Sequence, residues 1–330
     1  MKAIVTGGAG FIGSHVVDSL LAEGMDVVVI DDLSGGFRNN VNPLAQFIEG
    51  TILDHDLIDQ VFEKHHFDYV FHLAAYAAEG LSHFIKRFNY MNNAVGSMNL
   101  INAAVNFNSK CFVFTSSIAV YGANQVPMTE DLDPMPEDSY GIAKFCVEKE
   151  LQISHEVFGL DYIIFRPHNV YGERQNLGDR YRNVIGIFMN QIMQGKSLSV
   201  FGDGTQTRAF SYVGDVAPII AKSVMMPQAY GQIFNVGADI PYSINTLTEE
   251  VSKAMSASPN INHLPPRNEV VHAYSSHEKA QRLLGYTAKV DLSEGLSRMA
   301  IWAKENGARQ GKLFRNIEIV RNLPQYWLGE

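Results

Sequence analysis

The chain has 330 residues, of which 46% are hydrophobic and 18% are charged. This is an ordinary globular composition, which argues against a disordered chain, and the length suggests two domains. The formal net charge is −9 and no basic run is present, so nucleic acid and anionic membrane surfaces are not expected as partners.

Segments that would target or anchor the chain are not expected. Met1 leads directly into an apolar strand pattern, which leaves no room for a signal peptide, and no apolar run approaches the roughly 18 residues of a membrane span. The only two cysteines, Cys111 and Cys146, match no metal-ligand spacing. We therefore predict a cytoplasmic protein without a metal site, whose cysteines are small apolar residues in a reducing compartment.

The first predicted elements are a strand over residues 2–5 and a helix over residues 11–21, joined by a glycine-rich turn. Gly7 permits a tight turn, Gly10 lets a pyrophosphate approach the backbone, and Gly13 lets the helix lie close to the strand. The free N–H groups and the positive dipole end of that helix then face the phosphates. This pattern predicts a dinucleotide-binding site.

An acidic residue stands where such a site needs one. Asp31 lies eighteen residues after Gly13, at the end of a second predicted strand over residues 26–30. Its carboxylate can bind the two hydroxyl groups of a ribose, and it would repel a 2′-phosphate. We therefore predict NAD rather than NADP as the cofactor.

Strand and helix patterns then alternate as far as residue 172. The predicted elements after Asp31 are a strand at 46–49, a helix at 54–64, a strand at 68–73, a helix at 82–105, a strand at 111–115, a helix at 140–157 with Ser139 as its N-cap, and a strand at 161–165. Apolar strands in such an alternation are typical of a parallel sheet covered on both faces. The predicted fold is α/β, a doubly wound Rossmann-type parallel sheet.

The regular alternation is lost after residue 172. We predict an NAD-binding domain at 1–172 and a smaller α/β domain for the substrate at 173–330, with some of its segments returning to the first sheet. Its predicted helices lie near 183–194, 214–226, 245–256, 277–284 and 291–306, and its strands near 198–201 and 232–236.

A tyrosine and a lysine form the candidate catalytic pair. Tyr140 and Lys144 are four residues apart and therefore share one face of a helix. The preceding predicted strand ends in Ser116 and Ser117, and ligands collect beyond such strand ends. A nearby ammonium, together with a positive nicotinamide ring, would lower the phenol pKa by roughly 1 to 3 units from its usual value near ~10. Tyr140 could then exchange a proton with a substrate hydroxyl.

Several motifs along the chain carry a family resemblance. They are Thr6-Gly-Gly-x-Gly-Phe-Ile-Gly13, Asp31, His72-Leu-Ala-Ala75, Asn93-x-x-Gly96, Ser116-Ser117, Tyr140-x-x-x-Lys144, Arg166-Pro-x-Asn169-Val-Tyr-Gly172 and Arg208-x-Phe-x-Tyr-Val-x-Asp215. With them the chain resembles the extended short-chain dehydrogenases/reductases, and most closely the nucleotide-sugar epimerases of the UDP-glucose 4-epimerase type. The resemblance implies epimerisation of a nucleotide-diphosphate sugar at C4, through a transient 4-keto sugar and a tightly bound NAD.

The resemblance also implies residue roles. Tyr140 would be the acid/base, Ser117 would bind the reacting hydroxyl, and Lys144 would hold the nicotinamide ribose and tune Tyr140. The implied cofactor contacts are Gly7, Gly10, Phe11, Ile12, Gly13, Asp31, Asp32, Thr51, Ile52, Leu73, Ala74, Ala75, Asn93, Ser116, Tyr140, Lys144 and Pro167. The implied substrate contacts are Ser117, Asn169, Asn183, Val200, Phe201, Arg208 and Arg267.

Three positions depart from the family pattern. Gly50-Thr51 replaces the Gly-Asp that holds the adenine amine. Ala77 replaces the epimerase lysine after the fourth strand, and the surrounding stretch Tyr76-Ala-Ala-Glu79-Gly80 is unlike the usual epimerase sequence. Arg267-Asn268-Glu269 is one residue shorter than the usual Arg-x-Gly-Asp. The departures lie around the adenine, the sugar and the substrate nucleotide, so the motifs leave the identity of the sugar and its base open.

Other functions on the same fold stay open to different degrees. A 4,6-dehydratase needs an Asp-Glu pair where this chain has Ile118 and Ala119, which cannot transfer protons. A 4-dehydrogenase or ketoreductase that releases its product is not excluded by any residue. A non-catalytic NAD-sensing protein commonly lacks the tyrosine or the lysine, and both are present here. The resemblance further implies a homodimer through helices 93–106 and 140–157.

Overall fold

The computed structural model describes residues 1–267, 269–311 and 313–327. Its strands are β1 Lys2–Thr6, β2 Asp26–Asp31, β3 Gln46–Glu49, β4 Tyr69–His72, β5 Cys111–Thr115, β6 Asp161–Pro167, β7 Val170–Tyr171, β8 Leu198–Phe201, β9 Thr207–Ala209, β10 Ser211–Tyr212, β11 Gln232–Val236, β12 Pro241–Ser243, β13 Ile261–Leu264 and β14 His272–Ala273.

Seven of these strands form one fully parallel sheet, in the order β11-β6-β5-β4-β1-β2-β3. The chain runs outwards in both directions from β1, so the strand order reverses between β1 and β4. The predicted doubly wound Rossmann-type sheet is confirmed. Its seventh strand, β11, comes from beyond residue 172 and pairs with β6, so the second half of the chain does return to this sheet.

The helices cover both faces of the sheet. They are α1 Phe11–Ala22, α2 His55–His65, α3 Glu79–Ser82, α4 Lys86–Tyr90, α5 Gly96–Asn106, α6 Ser139–Phe158, α7 Val184–Met193, α8 Val213–Lys222, α9 Ile244–Ala254, α10 Glu278–Leu284 and α11 Leu292–Asn306. One apolar core lies on each face of the sheet, and the core on the α1 face continues into the second half of the chain, where α8 packs against α1.

The helix predicted at 82–105 is wrong in its first half. The structure has the short helices α3 and α4, a π-helical turn at Met91–Val95, and only then α5. Two buried asparagines act across this stretch, because the Asn89 side chain donates to the Ser139 carbonyl at 2.7 Å and Asn93 pairs with the backbone of Tyr76. These contacts bind the segment to neighbouring loops, which helical periodicity does not report.

The predicted N-cap of α6 is also wrong. The Asp138 carboxylate accepts a hydrogen bond from the Gly141 N–H at 2.8 Å, so Asp138 is the N-cap and Ser139 is the first helical residue. Aspartate and serine both cap helices well, and here the Asp138 oxygen is the one that accepts from the free Gly141 N–H.

The two cysteines have different environments. Cys111 is buried in β5, as predicted, but Cys146 is exposed on α6 and is not part of the core. Among the described residues, no helix is both long enough and apolar enough to cross a membrane.

The C-terminal segment packs onto α3 and α4. Leu323 and Trp327 are buried in a small apolar cluster with Leu81 and Ile85. The Glu318 carboxylate accepts from the two N–H groups that open α4, at 2.8 and 2.9 Å. The described part of this segment is therefore an integral layer of the fold.

Candidate active site

A cavity of about 440 Å³ lies at the carboxyl edge of the parallel sheet. It is reached by the ends of β1, β2, β4, β5 and β6, next to the reversal of strand order. Ligands of doubly wound folds bind at this position, because loops diverge there and leave a crevice.

The glycine turn after β1 forms one wall of the cavity. Gly7 has φ +72°, a backbone conformation that side chains disfavour, and a Cβ there would lie 2.7 Å from the Ala74 nitrogen. A Cβ at Gly13 would lie 2.1 Å from the Gly7 carbonyl oxygen, so only glycine lets α1 pack this closely. These positions match the predicted roles of the first and third glycines.

Asp31 lies at the end of β2 beside this turn. Its carboxylate accepts from the Ala9 N–H at 3.0 Å and from the Leu33 N–H at 2.8 Å. Burial raises the pKa of Asp31, while these backbone hydrogen bonds lower it. Each carboxylate oxygen has a further lone pair, so the residue can accept two hydrogen bonds from ribose hydroxyls on the cavity side.

The catalytic candidates stand at the other end of the cofactor wall. Tyr140 and Lys144 occupy the first turns of α6, and Ser117 follows β5. The Lys144 Nζ donates to the Thr115 carbonyl at 2.8 Å and lies 5.8 Å from the centre of the Tyr140 ring. All three candidates line the cavity, so the structure brings them together as the spacing predicts.

The pKa values of this pair differ from the expectation. Burial raises the pKa of the Tyr140 phenol, the Glu79 carboxylate raises it further, and Ser117 opposes this rise. Burial also lowers the pKa of Lys144 to about 7, against the attraction of Glu148. Desolvation therefore disfavours the ionised phenol in the protein alone, which differs from the expected lowering of the Tyr140 pKa by Lys144.

A buried ionic network supports the catalytic end. Arg166 and Glu148 have 2% and 1% of their side-chain surface exposed, and they form a bidentate pair with distances of 2.9 and 2.5 Å. The Ser116 hydroxyl donates to the same carboxylate at 2.5 Å. The Arg166 guanidinium also stacks 4.6 Å from the Tyr121 ring centre. This network ties α6 to the ends of β5 and β6.

The far end of the cavity carries two arginines. Arg208 donates to the Val270 carbonyl at 2.6 Å, and Arg267 stacks 4.6 Å from the centre of the Phe201 ring. Both pair with the Glu269 carboxylate, at 3.3 and 3.0 Å. Two guanidinium groups therefore share one carboxylate, which leaves positive charge for an anionic ligand.

The two predicted asparagines share an unusual backbone. Asn169 and Asn183 both line the cavity, and both have left-handed conformations with φ values of 40° and 65°. Asparagine tolerates this conformation better than most residues. In addition, the His168 ring contacts the Ala209 carbonyl at 3.0 Å, and this contact joins the Asn169 loop to the strand that carries Arg208.

Of the predicted site residues, only Asn93 does not line the cavity. Its amide accepts from the Tyr76 N–H at 2.8 Å and donates to the Tyr76 carbonyl at 3.1 Å, so it fixes the loop after β4 from behind. The residues that do line it are Gly7, Gly10, Phe11, Ile12, Gly13, Asp31, Asp32, Thr51, Ile52, Leu73, Ala74, Ala75, Ser116, Ser117, Tyr140, Lys144, Pro167, Asn169, Asn183, Val200, Phe201, Arg208 and Arg267.

Sequence reasoning missed several residues of the cavity. The missed group includes Gly35, Gly36, Tyr76, Glu79, Asn176 and Arg182. Arg182 is held by Asp179 at 2.5 Å and stacks 4.7 Å from the Tyr76 ring centre. The repeated glycines after Asp31 were a usable signal for close backbone approach, whereas Arg182 and Glu79 belong to no motif in the chain.

These features fit a dinucleotide. The glycine turn provides a cradle that a Cβ would obstruct, Asp31 has free acceptor positions for a ribose, and the buried Thr115 hydroxyl has no hydrogen-bond partner among the described residues. The catalytic candidates and the two arginines line the same cavity as this cradle.

Comparison with known proteins gives a consistent result. Residues 3–237 match the family described as the NAD dependent epimerase/dehydratase family. A curated relative, the putative UDP-glucose 4-epimerase of Methanocaldococcus jannaschii, is 35% identical over 92% of this chain and 98% of its own length.

Solved structures resemble the whole domain arrangement. The UDP-glucose 4-epimerase of Thermotoga maritima, solved with UDP-glucose, is 34% identical with a TM-score of 0.89, over 93% of this chain and 99% of that chain. The UDP-glucuronic acid 4-epimerase of Bacillus cereus, solved with UDP-glucuronic acid and NAD, is 30% identical with a TM-score of 0.85, over 93% of this chain and 100% of that chain.

Proposed function

Because the chain belongs to the NAD-dependent epimerase/dehydratase family, an enzyme family, we propose that it epimerises a UDP-sugar at C4. The observation that carries the proposal is that one cavity brings three groups together. A dinucleotide cradle, the Tyr140, Lys144 and Ser117 group, and an arginine pair all line it. A sugar held by its diphosphate at the arginines would present its hydroxyls to Tyr140.

The chemistry that bound NAD supplies is the reversible oxidation of a sugar alcohol to a ketone. The Tyr140 phenolate takes the proton of the C4 hydroxyl and later returns it to the same oxygen. Ser117 holds that oxygen by a hydrogen bond, and Lys144 holds the ribose of the cofactor beside Tyr140. Rotation of the 4-keto sugar within the cavity would expose its opposite face. Return of the hydride to that face of C4 would then invert the configuration of C4.

The pKa directions support this division of labour. Burial keeps Tyr140 protonated and keeps Lys144 partly neutral in the protein alone. A bound nicotinamide would supply positive charge that favours the Tyr140 phenolate, and Lys144 as an ammonium would hold the hydroxyls of the cofactor ribose. Proton transfer is thereby restricted to the enzyme that carries oxidised cofactor, which we propose to remain tightly bound.

We assign the nucleotide half of the substrate to the part of the cavity that Arg208 and Arg267 line. Arg208 and Arg267 suit a diphosphate, because guanidinium groups bind phosphate oxygens in a bidentate manner. Phe201 and Val200 offer an apolar surface for the base, and the C-terminal Tyr326 packs edge-on against Phe201 at 6.0 Å. Asn169 and Asn183 supply hydrogen bonds between the two ends.

The experiment is a substrate panel. The purified holoprotein is incubated with UDP-, GDP-, CDP- and dTDP-sugars, and the products are identified by NMR. We expect interconversion of a UDP-sugar with its C4 epimer, without net consumption of NAD, and NAD in the supernatant after heat denaturation. Accumulation of a ketone with a stoichiometric nicotinamide absorbance change would instead identify a dehydrogenase, and no change in any sugar would leave a binding function.

We further propose that the protein is a homodimer. α6 exposes an apolar stripe with Ile142, Ile153 and Val157 exposed to 44%, 49% and 63%, and Met91 and Val95 beside α5 are exposed to 44% and 42%. Such exposed stripes on two helices are typical of a subunit interface. Light scattering of the intact protein should give twice the chain mass, and Ile153→Asp should give a monomer; a monomeric intact protein contradicts the proposal.

A further inference from the structure

Glu79 is a carboxylate in the cavity that the mechanism does not use. It begins α3, and its accessible surface opens onto the cavity. No side chain in the described ranges forms a hydrogen bond or ion pair with its carboxylate, whereas its backbone carbonyl accepts from the Ser82 hydroxyl. The Glu79 side chain is solvent-accessible and lines the cavity, so its oxygens are available to a ligand.

The position of Glu79 is fixed relative to Tyr140 through one hydroxyl. Ser82 donates from its Oγ to the Glu79 carbonyl at 2.6 Å, and the same Oγ accepts from the Tyr140 N–H at 3.2 Å. Gly80, the next residue, is covered by the Trp327 ring. The start of α3 is therefore held in place against the start of α6 from one side and by the C-terminal segment from the other.

The charge of Glu79 acts on both ends of the proposed substrate site. It raises the pKa of Tyr140, and it opposes the burial that lowers the pKa of Arg208. The carboxylate thus lies within electrostatic range of the proposed base and of the proposed diphosphate anchor. All three residues line one cavity, so a hexose that joins a diphosphate at Arg208 to a C4 hydroxyl at Tyr140 would share that cavity with Glu79.

On the basis of the proposed function, we infer that Glu79 determines specificity within the sugar site: it accepts hydrogen bonds from hydroxyls of a neutral hexose and rejects a uronate. Ala75 and Ala77, on the segment that leads to Glu79, offer only methyl groups to the cavity, whereas the Glu79 carboxylate offers two acceptor oxygens. A sugar carboxylate placed there would meet a like charge, and this repulsion is an effective basis for discrimination.

The rejection of uronates should depend on pH. Desolvation by the surrounding cavity walls, followed by the Asp138 charge, raises the pKa of Glu79 to about 7, whereas Arg208 and Arg267 lower it. Above pH 7 the ionised carboxylate repels a uronate; below pH 7 the protonated acid no longer does. The charged or titratable groups that act on Glu79 include Asp138, Tyr140, Arg208, Arg267 and Glu269, and His83, Glu137 and Arg182 line the same cavity.

The test compares Glu79→Gln, which keeps the shape of the side chain and removes its charge, with the wild-type holoenzyme. The specificity constants kcat/KM for UDP-glucose and UDP-glucuronate are measured from pH 5.5 to 8.5 (about the range over which such an acid titrates). Glu305→Gln on the exposed face of α11 is the matched control. Glu79→Ala is measured as well, so that a folding defect of one variant does not decide the result.

We expect Glu79→Gln to shift the ratio of the two constants towards UDP-glucuronate by roughly 10- to 100-fold at pH 8, which corresponds to the loss of a charged hydrogen bond. The wild-type ratio should approach that of the variant as the pH falls, and Glu305→Gln should match wild type. If both Glu79 variants are active and keep the wild-type ratio of kcat/KM for the two UDP-sugars, this inference is wrong, while the proposed function stands. Failure of wild type to convert any UDP-sugar overturns the proposed function.

Discussion

Replacing Glu148 by glutamine tests whether the buried network behind the cavity holds the catalytic end together. Glutamine has nearly the same shape, but it removes the negative charge and presents an amide N–H to the Arg166 guanidinium. The Arg166 side chain is 2% exposed, so its charge would remain in the interior without a counter-ion. The Ser116 hydroxyl would also lose its charged acceptor.

The size of the effect follows from this burial. Breaking a fully buried ion pair from one side costs about 3–5 kcal/mol of unfolding free energy. With an unfolding entropy of roughly 2.1 cal/mol/K per residue, this chain of 330 residues should melt about 4–7 °C lower. Differential scanning calorimetry of the holoprotein measures both quantities. Activity should fall as well, because the same carboxylate holds Ser116 and attracts the Lys144 ammonium.

The matched control is Glu294→Gln, in the exposed pair of Glu294 with Arg298 on α11. These side chains are 51% and 47% exposed, and such surface pairs contribute at most about 0.5 kcal/mol. The melting temperature of this variant should stay within about 1 °C of wild type. Equal shifts in the two variants would refute the reasoning, because burial would then not decide the cost.

Three further outcomes are expected. Asp31→Asn should weaken NAD binding roughly tenfold and reduce the ratio of the affinity for NAD to that for NADP. Calorimetric titration of the cofactor-depleted protein measures both affinities, and an unchanged ratio would contradict a role of Asp31 in ribose binding. Burial lowers the pKa of His168 from 6.5 to about 3, so the folded state binds fewer protons and its stability should fall by up to roughly 1.4 kcal/mol per pH unit below 6.5. His168→Asn, which cannot titrate, should reduce that slope in urea titrations at several pH values, and an identical slope would contradict the assignment. Trp327→Ala should lower the free energy of unfolding by about 3–5 kcal/mol, because Trp327 is only 3% exposed. Leu44 is 80% exposed, so Leu44→Ala should leave the free energy of unfolding nearly unchanged.

The parts of the fold that the sequence predicts are those encoded by neighbouring residues. The turn from β1 to α1 follows from glycines within one short stretch, and the backbone geometry at Gly7 and Gly13 agrees with their predicted roles. The alternation of strands and helices identifies the doubly wound sheet in the same way. Tyr140 and Lys144 are also local, because they lie one helical turn apart.

The parts that could not be predicted depend on contacts between distant segments. The break between α3 and α5 rests on Asn89 and Asn93, whose partners lie elsewhere in the chain. Glu79 becomes part of the site only because the C-terminal segment and α6 hold α3 over the cavity. The pKa of Tyr140 was expected to fall, but spacing alone reports the nearby ammonium and not the burial of both groups.

The most direct test of the account is the activity of Tyr140→Phe on the UDP-sugar that wild type converts. The account predicts a loss of roughly 10²- to 10⁴-fold in kcat, with NAD content and melting temperature close to wild type. Tyr69→Phe, at the opposite end of the sheet, should retain full activity. A Tyr140→Phe enzyme whose kcat lies within tenfold of wild type would have lost roughly 1.4 kcal/mol of transition-state stabilisation or less. With an unchanged NAD content, that result would contradict the assignment of the phenol as the acid/base.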